Sequence, residues 1–275
     1  MGRSKGSKNW TYSESLALIN TYEKFDVETI QQCYFPEKSV KNIRDKACVL
    51  GLTQKLVKRS VNEHLFEEFT PTSAYLLGAI ASDGCVSLYK GCYKLLFGSM
   101  DYDWTKTIRD LMESDVPIVE TIGVGFKKDG HLYRIQIASK HITESLQALG
   151  ITPRKSLTLE FPTIPSEFVP DFMRGYNDGD GGFGISKSKD YPKNQYLRTG
   201  VVGTEKFLIE WKRQLVRLGI DTKNKVIGPN TSQYAFYMAG KNAVKFGDLI
   251  YYDESLPKLE RKYTIYKNYK QSHCH

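Results

Sequence analysis

The chain has 275 residues, 40% of them hydrophobic, enough for two domains with their own cores. Its 39 Lys and Arg against 31 Asp and Glu leave a net charge of +8 and a pI near 9.0, a balance that suits a polyanionic partner. No apolar run approaches the roughly 18–20 residues needed to cross a bilayer, and the basic residues 1–8 have no apolar segment behind them, so neither a membrane helix nor a secretory leader is expected. Five cysteines (Cys33, Cys48, Cys85, Cys92 and Cys274), odd in number and without a C-x-x-C pair, argue against a disulfide framework or a zinc site and fit a reducing compartment. The ending His273-Cys274-His275 reads as a loose terminus.

The basicity is concentrated at the start: residues 1–60 hold 11 Lys and Arg against 6 Asp and Glu, which is +5 of the +8. After the basic arm, Thr11 or Ser13 can cap a helix whose apolar face is expected to include Leu16, Ile19 and Tyr22. A second short helix is predicted over 27–33. A third follows Pro36, with Ser39 as its cap, Val40, Ile43, Ala47 and Leu50 as its face, and Gly51 as its stop. Lys41, Asn42, Arg44 and Lys46 lie opposite that apolar stripe and are the expected nucleic-acid contacts of a helix-turn-helix unit over 1–60. The bland alternative is a three-helix protein-interaction module. The charged stretch at 55–70, with 61–71 as the linker proper, reads as a connector that Pro71 ends.

The remainder reads as two successive halves, 72–165 and 166–275. In the first, a helix from about 72 leads to strands at 86–89 and 93–98, a helix at 104–112, strands at 121–127 and 131–138 around Lys128-Asp129-Gly130, and a helix at 142–149. The second repeats the order: strands at 183–187 and 196–202, a helix at 205–218, strands at 225–227 and 233–239, and a helix from 243. Shared phrases mark the duplication: Leu149-Gly150-Ile151-Thr152 answers Leu218-Gly219-Ile220-Asp221, and Ala138-Ser139-Lys140 answers Ala239-Gly240-Lys241. A bridge at 162–165 joins the halves. A last helix at 256–269, carrying Lys258, Arg261, Lys262, Lys267 and Lys270, reads as a solvated basic face.

Each half opens with a helix that has small residues four apart, Gly78 and Ser82 in the first, Gly175 and Gly179 in the second, and ends in Asp-Gly. Small residues at i and i+4 clear one face and let two backbones approach. The glycines after them, Gly84 and Gly181, are expected to cap the helices in the left-handed conformation. Asp83 and Asp180 then lie at the negative ends of the helix dipoles, 97 residues apart in sequence. One such acid is an ordinary turn residue. Two at matched places point to a bound cation, for which a divalent metal is the natural candidate.

Residues 77–84 (Leu-Gly-Ala-Ile-Ala-Ser-Asp-Gly) and 173–181 (Met-Arg-Gly-Tyr-Asn-Asp-Gly-Asp-Gly) resemble the two signature motifs of single-chain LAGLIDADG homing endonucleases, over roughly 70–270. The second copy is a close match; the first has Ala81 where the family often has an acid. The Trp10-Thr11 opening and the Ile43-Arg44-x-Lys46-Ala47-x-x-Leu50-Gly51-Leu52 close resemble a Myb/SANT-type DNA-binding domain.

The resemblance implies an α+β fold, two pseudo-symmetric α-β-β-α-β-β-α halves with saddle-shaped antiparallel sheets after a small three-helix domain, in a monomer with an internal pseudo-two-fold axis. It implies Mg²⁺, or another divalent cation such as Mn²⁺, held by Asp83 and Asp180, with Lys140 and Lys241 beside the site; the bland reading of the two lysines is exposed strand ends. Its activity would be site-specific cutting of double-stranded DNA lying on the sheets, with Arg134, Gln136, Lys187, Lys189 and Arg198 as contacts. The alternative is a non-cleaving binder on the same fold, an intron RNA maturase or a transcriptional regulator. Either suits an intracellular setting, the cytoplasm of a bacterium or phage-infected cell or an organelle, with no membrane partner.

Overall fold

The computed structural model describes residues 10–23, 25, 27–53, 59–89, 91–122, 130–187, 195–230 and 233–273. The expectations for the basic arm at 1–8, for Lys189, for the turn at Lys128-Asp129, for strand residues 123–127 and for Cys274 and His275 lie outside these. The chain divides into two compact units, Met1–Lys58 and Arg59–His275.

The first unit holds α1 (Tyr12–Tyr22), α2 (Val27–Tyr34) and α3 (Val40–Val49). Thr11 caps α1 in a capping box with Glu14, and Ser39 caps α3 through the Asn42 amide. The core is Leu18, Tyr22, Val27, Ile30, Phe35, Ile43 and Ala47. Tyr22 is buried as expected, but Leu16 and Ile19, also expected inside, are exposed, and Leu18 faces inward in their place. The run Leu16-Ala17-Leu18-Ile19 offers two apolar stripes, and packing against α2 and α3 selects the one containing Leu18. Lys38 is buried, paired with Glu14 at 3.0 Å, with its ammonium 4.6 Å from the Trp10 ring centroid.

The second unit is α+β. Residues 59–70, expected as a connector, are pinned to its first half. The Ser60 amide donates to Asp115 Oδ1 at 2.6 Å, the Asn62 amide to the Met112 carbonyl at 3.0 Å, and Phe66 enters the core. Then follow α4 (Pro71–Asp83), β1 (Gly84–Tyr89), β2 (Cys92–Ser99), α5 (Tyr102–Leu111), β3 (Val119–Ile122), β4 (His131–Ile137) and α6 (Lys140–Ala148). The second half gives α7 (Val169–Asp180), β5 (Gly181–Lys187), β6 (Gln195–Gly203), α8 (Glu205–Arg217), β7 (Ile227–Asn230), β8 (Gln233–Ala239) and α9 (Lys241–Ile250), and α10 (Glu260–His273) is the last element among the described residues.

Two four-stranded antiparallel sheets result, ordered β1-β2-β4-β3 and β5-β6-β8-β7. Alternation along the strands buries Val86, Leu95, Phe97, Ile135 and Ile137 in the first sheet and Phe183, Leu197, Val201, Phe236 and Met238 in the second, and all join one continuous core. The last helix begins four residues later than expected and is not simply solvated. Tyr263 and Tyr266 are buried, and so is Lys262.

Candidate active site

The small residues of α4 and α7 put the two helices in backbone contact. A Cβ on Gly78 would stand 2.1 Å from the Phe172 carbonyl oxygen, and one on Gly175 would stand 2.0 Å from that of Tyr75. The two contacts are matched across the helix pair, since Tyr75 and Phe172 precede Gly78 and Gly175 by three residues each. One turn on, a Cβ on Gly179 would meet Ser82 Oγ at 2.0 Å and Asp83 Oδ2 at 3.1 Å. The pairing therefore continues to the helix ends and brings the two Asp-Gly sequences together.

Gly84 and Gly181 do not take the expected left-handed cap; both are extended (φ −87°, ψ 161° and φ −119°, ψ −160°). The chain passes directly from helix into strand, so the missing Cβ is what matters. On Gly84 it would lie 2.7 Å from the Ile80 side chain, and on Gly181 2.5 Å from Asn177 Oδ1.

Asp83 is exposed and Asp180 half-buried. Both open onto solvent, yet the surrounding protein desolvates them. Burial, then the charge of Asp180, raises Asp83 to about 6, and burial likewise raises Asp180. Among the described residues neither carboxylate has an ion-pair partner. The cations whose fields reach Asp83 most strongly are Lys262, Lys155 and Arg261; for Asp180 they are Lys155 and Lys262.

Those two lysines are what sequence reasoning missed. Lys155 donates to the carbonyls of Ser82 (3.2 Å) and Gly84 (2.8 Å). Lys262 donates to the carbonyls of Gly179 (2.9 Å) and Gly181 (2.6 Å), which occupy the matching places on α7, and also to those of Asn177 and Asp178. Each motif helix thus ends under a buried ammonium that takes up its unpaired carbonyls. The available signal for Lys262 was its place on the apolar stripe of Leu259, Tyr263 and Tyr266, where a solvated lysine does not belong. Lys155 lies in a short 3₁₀ turn at Lys155–Leu157 and left no periodic signal.

Lys140 and Lys241 are not among the cations whose fields act most on Asp83 or Asp180. They are the first residues of α6 and α9, both exposed, and Lys140 is 3.7 Å from Glu144. Arg134 and Gln136 do face outward from β4, with Arg134 bonded to Thr121 Oγ1 at 2.7 Å. Lys187 and Arg198 are exposed on β5 and β6. Arg198 lies across from Gly184 and lines, with Asp180, Gly182, Gly200 and Tyr237, a groove of about 360 Å³ along the sheet from the acid pair. In the N-terminal unit Lys41 and Arg44 are exposed, Asn42 and Lys46 half-buried, and Arg44 pairs with Glu28 at 3.0 Å.

Asp178, the acid that Ala81 replaces in the first motif, is scaffold. It is buried and accepts from the Tyr75 hydroxyl at 2.9 Å and the Leu259 amide at 2.9 Å; the Tyr75 hydroxyl itself accepts from Trp104 Nε1. Arg174, also buried, crosses to α9 and the segment before α10, donating to the carbonyls of Ile250 (3.0 Å) and Pro257 (2.9 Å) and pairing with Asp171 at 2.8 Å.

No protein-family model matches the sequence, and no curated protein matches it. Solved structures do. The homing endonuclease I-WcaI bound to its DNA recognition sequence is 15% identical over 78% of this chain and 96% of its own, with a TM-score of 0.49. The LAGLIDADG meganuclease I-AabMI bound to uncleaved DNA is 14% identical over 74% and 90%, with a TM-score of 0.47. I-DmoI in complex with DNA and Mn is 20% identical over 66% and 96%, with a TM-score of 0.44.

Proposed function

We propose that the chain is a site-specific, metal-dependent endonuclease that cuts both strands of double-stranded DNA. One observation carries this reading: two carboxylates at matched ends of a backbone-contacting helix pair, open to solvent, raised in pKa by the protein that surrounds them, and without an ion-pair partner among the described residues.

The residues present fit a hard divalent cation. The donor set is all oxygen, the Asp83 and Asp180 carboxylates completed by water, and a cation there would offset the burial and the repulsion that lift Asp83. Bound there, Mg²⁺ or Mn²⁺ would polarise the scissile phosphate, activate the attacking water and stabilise the leaving oxygen. The chain's own work is positioning. Asp83 and Asp180 come from related halves, as a duplex with two antiparallel strands requires of an enzyme that cuts both. Lys155 and Lys262 hold the helix ends and add positive potential where phosphate charge develops. The glycine-lined groove beside Asp180 has low relief, so a nucleic-acid backbone can approach closely, with Arg198 at its side, Lys187 at the far end of β5, and Arg134 and Gln136 on the other sheet. Lys140 and Lys241 suit phosphate contacts at the N-termini of α6 and α9.

Ala81 does not weigh against cleavage, because its counterpart Asp178 is occupied by Tyr75 and Leu259. A randomised duplex library treated with Mg²⁺ or with EDTA tests the proposal. Discrete metal-dependent cuts by the wild type, absent with Asp83→Asn/Asp180→Asn, are expected. Retention of the library without cutting under any divalent cation would overturn it in favour of a maturase or regulator.

A further inference from the structure

A second cluster of metal-ligating side chains lies where residues 59–70 meet α6. Two imidazoles converge on one carboxylate oxygen: His64 Nδ1 is 2.8 Å and His141 Nε2 2.7 Å from Glu67 Oε1. The ring centroids are 5.3 Å apart, and the three donor atoms lie within 4.8 Å of one another. All three side chains are exposed, so an ion has access. Their backbones are fixed by other contacts. His141 follows the N-cap Ser139, whose hydroxyl bonds Glu63 at 3.0 Å. His64 and Glu67 close a turn through the Glu67 amide and the His64 carbonyl at 3.1 Å, beside the buried Phe66.

We propose that His64, Glu67 and His141 bind a transition-metal ion of the zinc class, fastening residues 59–70 to α6. Two imidazole nitrogens and one carboxylate oxygen, with a fourth position open to water, are a donor set zinc takes at bonds of about 2.0–2.2 Å. Around a tetrahedral ion such donors stand roughly 3.3 Å apart, so the observed spacing needs side-chain adjustments of about an ångström. Glu63 adds negative charge beside His64. The nitrogen donors favour zinc, cobalt or nickel over the hard cations that suit the all-oxygen pair at Asp83 and Asp180, so the two sites differ in the metal they select. The segment so fastened is the one that leads, in sequence, from the N-terminal unit into α4.

The test uses full-length protein carrying Asp83→Asn and Asp180→Asn, with His273, Cys274 and His275 replaced by alanine, which silences the acid pair and the terminal residues. Co²⁺ titrated into the metal-free protein is followed by its visible absorption. One equivalent bound, displaced by Zn²⁺, is expected. His64→Ala and His141→Ala should each raise the Kd at least about tenfold with unchanged circular dichroism. Glu67→Gln, which keeps a hydrogen-bonding group of the same shape, should weaken binding likewise. No uptake of Co²⁺, or uptake unaffected by His64→Ala/His141→Ala together, would overturn the proposal.

Discussion

Replacing Gly78 or Gly175 with alanine tests whether the helix pair is held at backbone contact. The added methyl would stand 2.1 Å from the Phe172 carbonyl oxygen or 2.0 Å from that of Tyr75. An ordinary carbon–oxygen contact is about 3.3 Å, so the helices must part by roughly an ångström, and a gap of that size forfeits a quarter to a half of each contact's dispersion energy. Overpacking of this kind costs about 1–3 kcal/mol, and the upper end applies because the obstacle is backbone. Alanine's better helix propensity returns about 0.5–1 kcal/mol. Each single substitution should therefore lose about 2 kcal/mol. The double should lose little more than either alone, because one parting relieves both clashes. Urea unfolding followed by the fluorescence of Trp104 and Trp211, in a Trp10→Phe background, measures this. A single variant within about 0.5 kcal/mol of wild type, or two losses that simply add, would refute the geometry.

Asp83→Asn should make the metal-free protein more stable at pH 7 and leave it unchanged near pH 4. The folded-state pKa is raised to about 6, so its unfavourable term appears as pH rises from the ordinary aspartate value through 6. The full shift corresponds to about 3 kcal/mol; for so accessible a carboxylate about 1 kcal/mol is expected, and a less stable variant in EDTA at pH 7 would contradict it. At subsaturating Mg²⁺ cleavage should fall as pH drops through about 6, two units above an ordinary aspartate, and saturating Mg²⁺ should move that fall to lower pH, because the ion competes with the proton for the carboxylate; a pH–rate profile at two Mg²⁺ concentrations reads this. Asp178→Ala should cost about 2–4 kcal/mol in thermal or urea unfolding, because it strands the Tyr75 hydroxyl and the Leu259 amide. Lys41→Ala and Arg44→Ala should weaken DNA binding alike on all sequences and each lower the slope of log affinity against log salt by about 1; unchanged slopes would remove the N-terminal unit from the DNA interface.

The architecture was legible because local signals agreed with one another. Ser39 and Thr11 cap where their neighbours permit, β8 has the bounds its alternation gives, and the 97-residue echo of Asp83 in Asp180 paired the halves. What misled was chemistry whose outcome is tertiary. Gly84 and Gly181 read as left-handed caps because that is the commonest use of glycine after a helix, whereas here the strand begins at once and the missing Cβ avoids Ile80 and Asn177. Leu16 and Ile19 were as good companions for Tyr22 as Leu18 until α2 and α3 chose between them. Lys140 and Lys241 do take equivalent places, each opening the helix that follows the last strand of its half.

Lys155 and Lys262 escaped for the converse reason: they do equivalent work from places that sequence symmetry does not equate. Their arrangement bears on what the site is for. A helix C-terminus already carries partial negative charge, and each motif helix adds an aspartate there. An ammonium placed to stabilise that aspartate would bind the carboxylate directly. Instead both lysines give their hydrogen bonds to the carbonyls, two from Lys155 and four from Lys262, and neither comes within ion-pair distance of Asp83 or Asp180. Desolvation pushes Lys262 down to about 8, so even its burial is not favourable in itself. The lysines fix the helix ends and leave two anions, both open to solvent, without an ion-pair partner among the described residues. A core built for stability would have paired or neutralised them. Carboxylates left unpaired at this cost accord with the proposed function, in which the counter-charge arrives with a divalent metal ion.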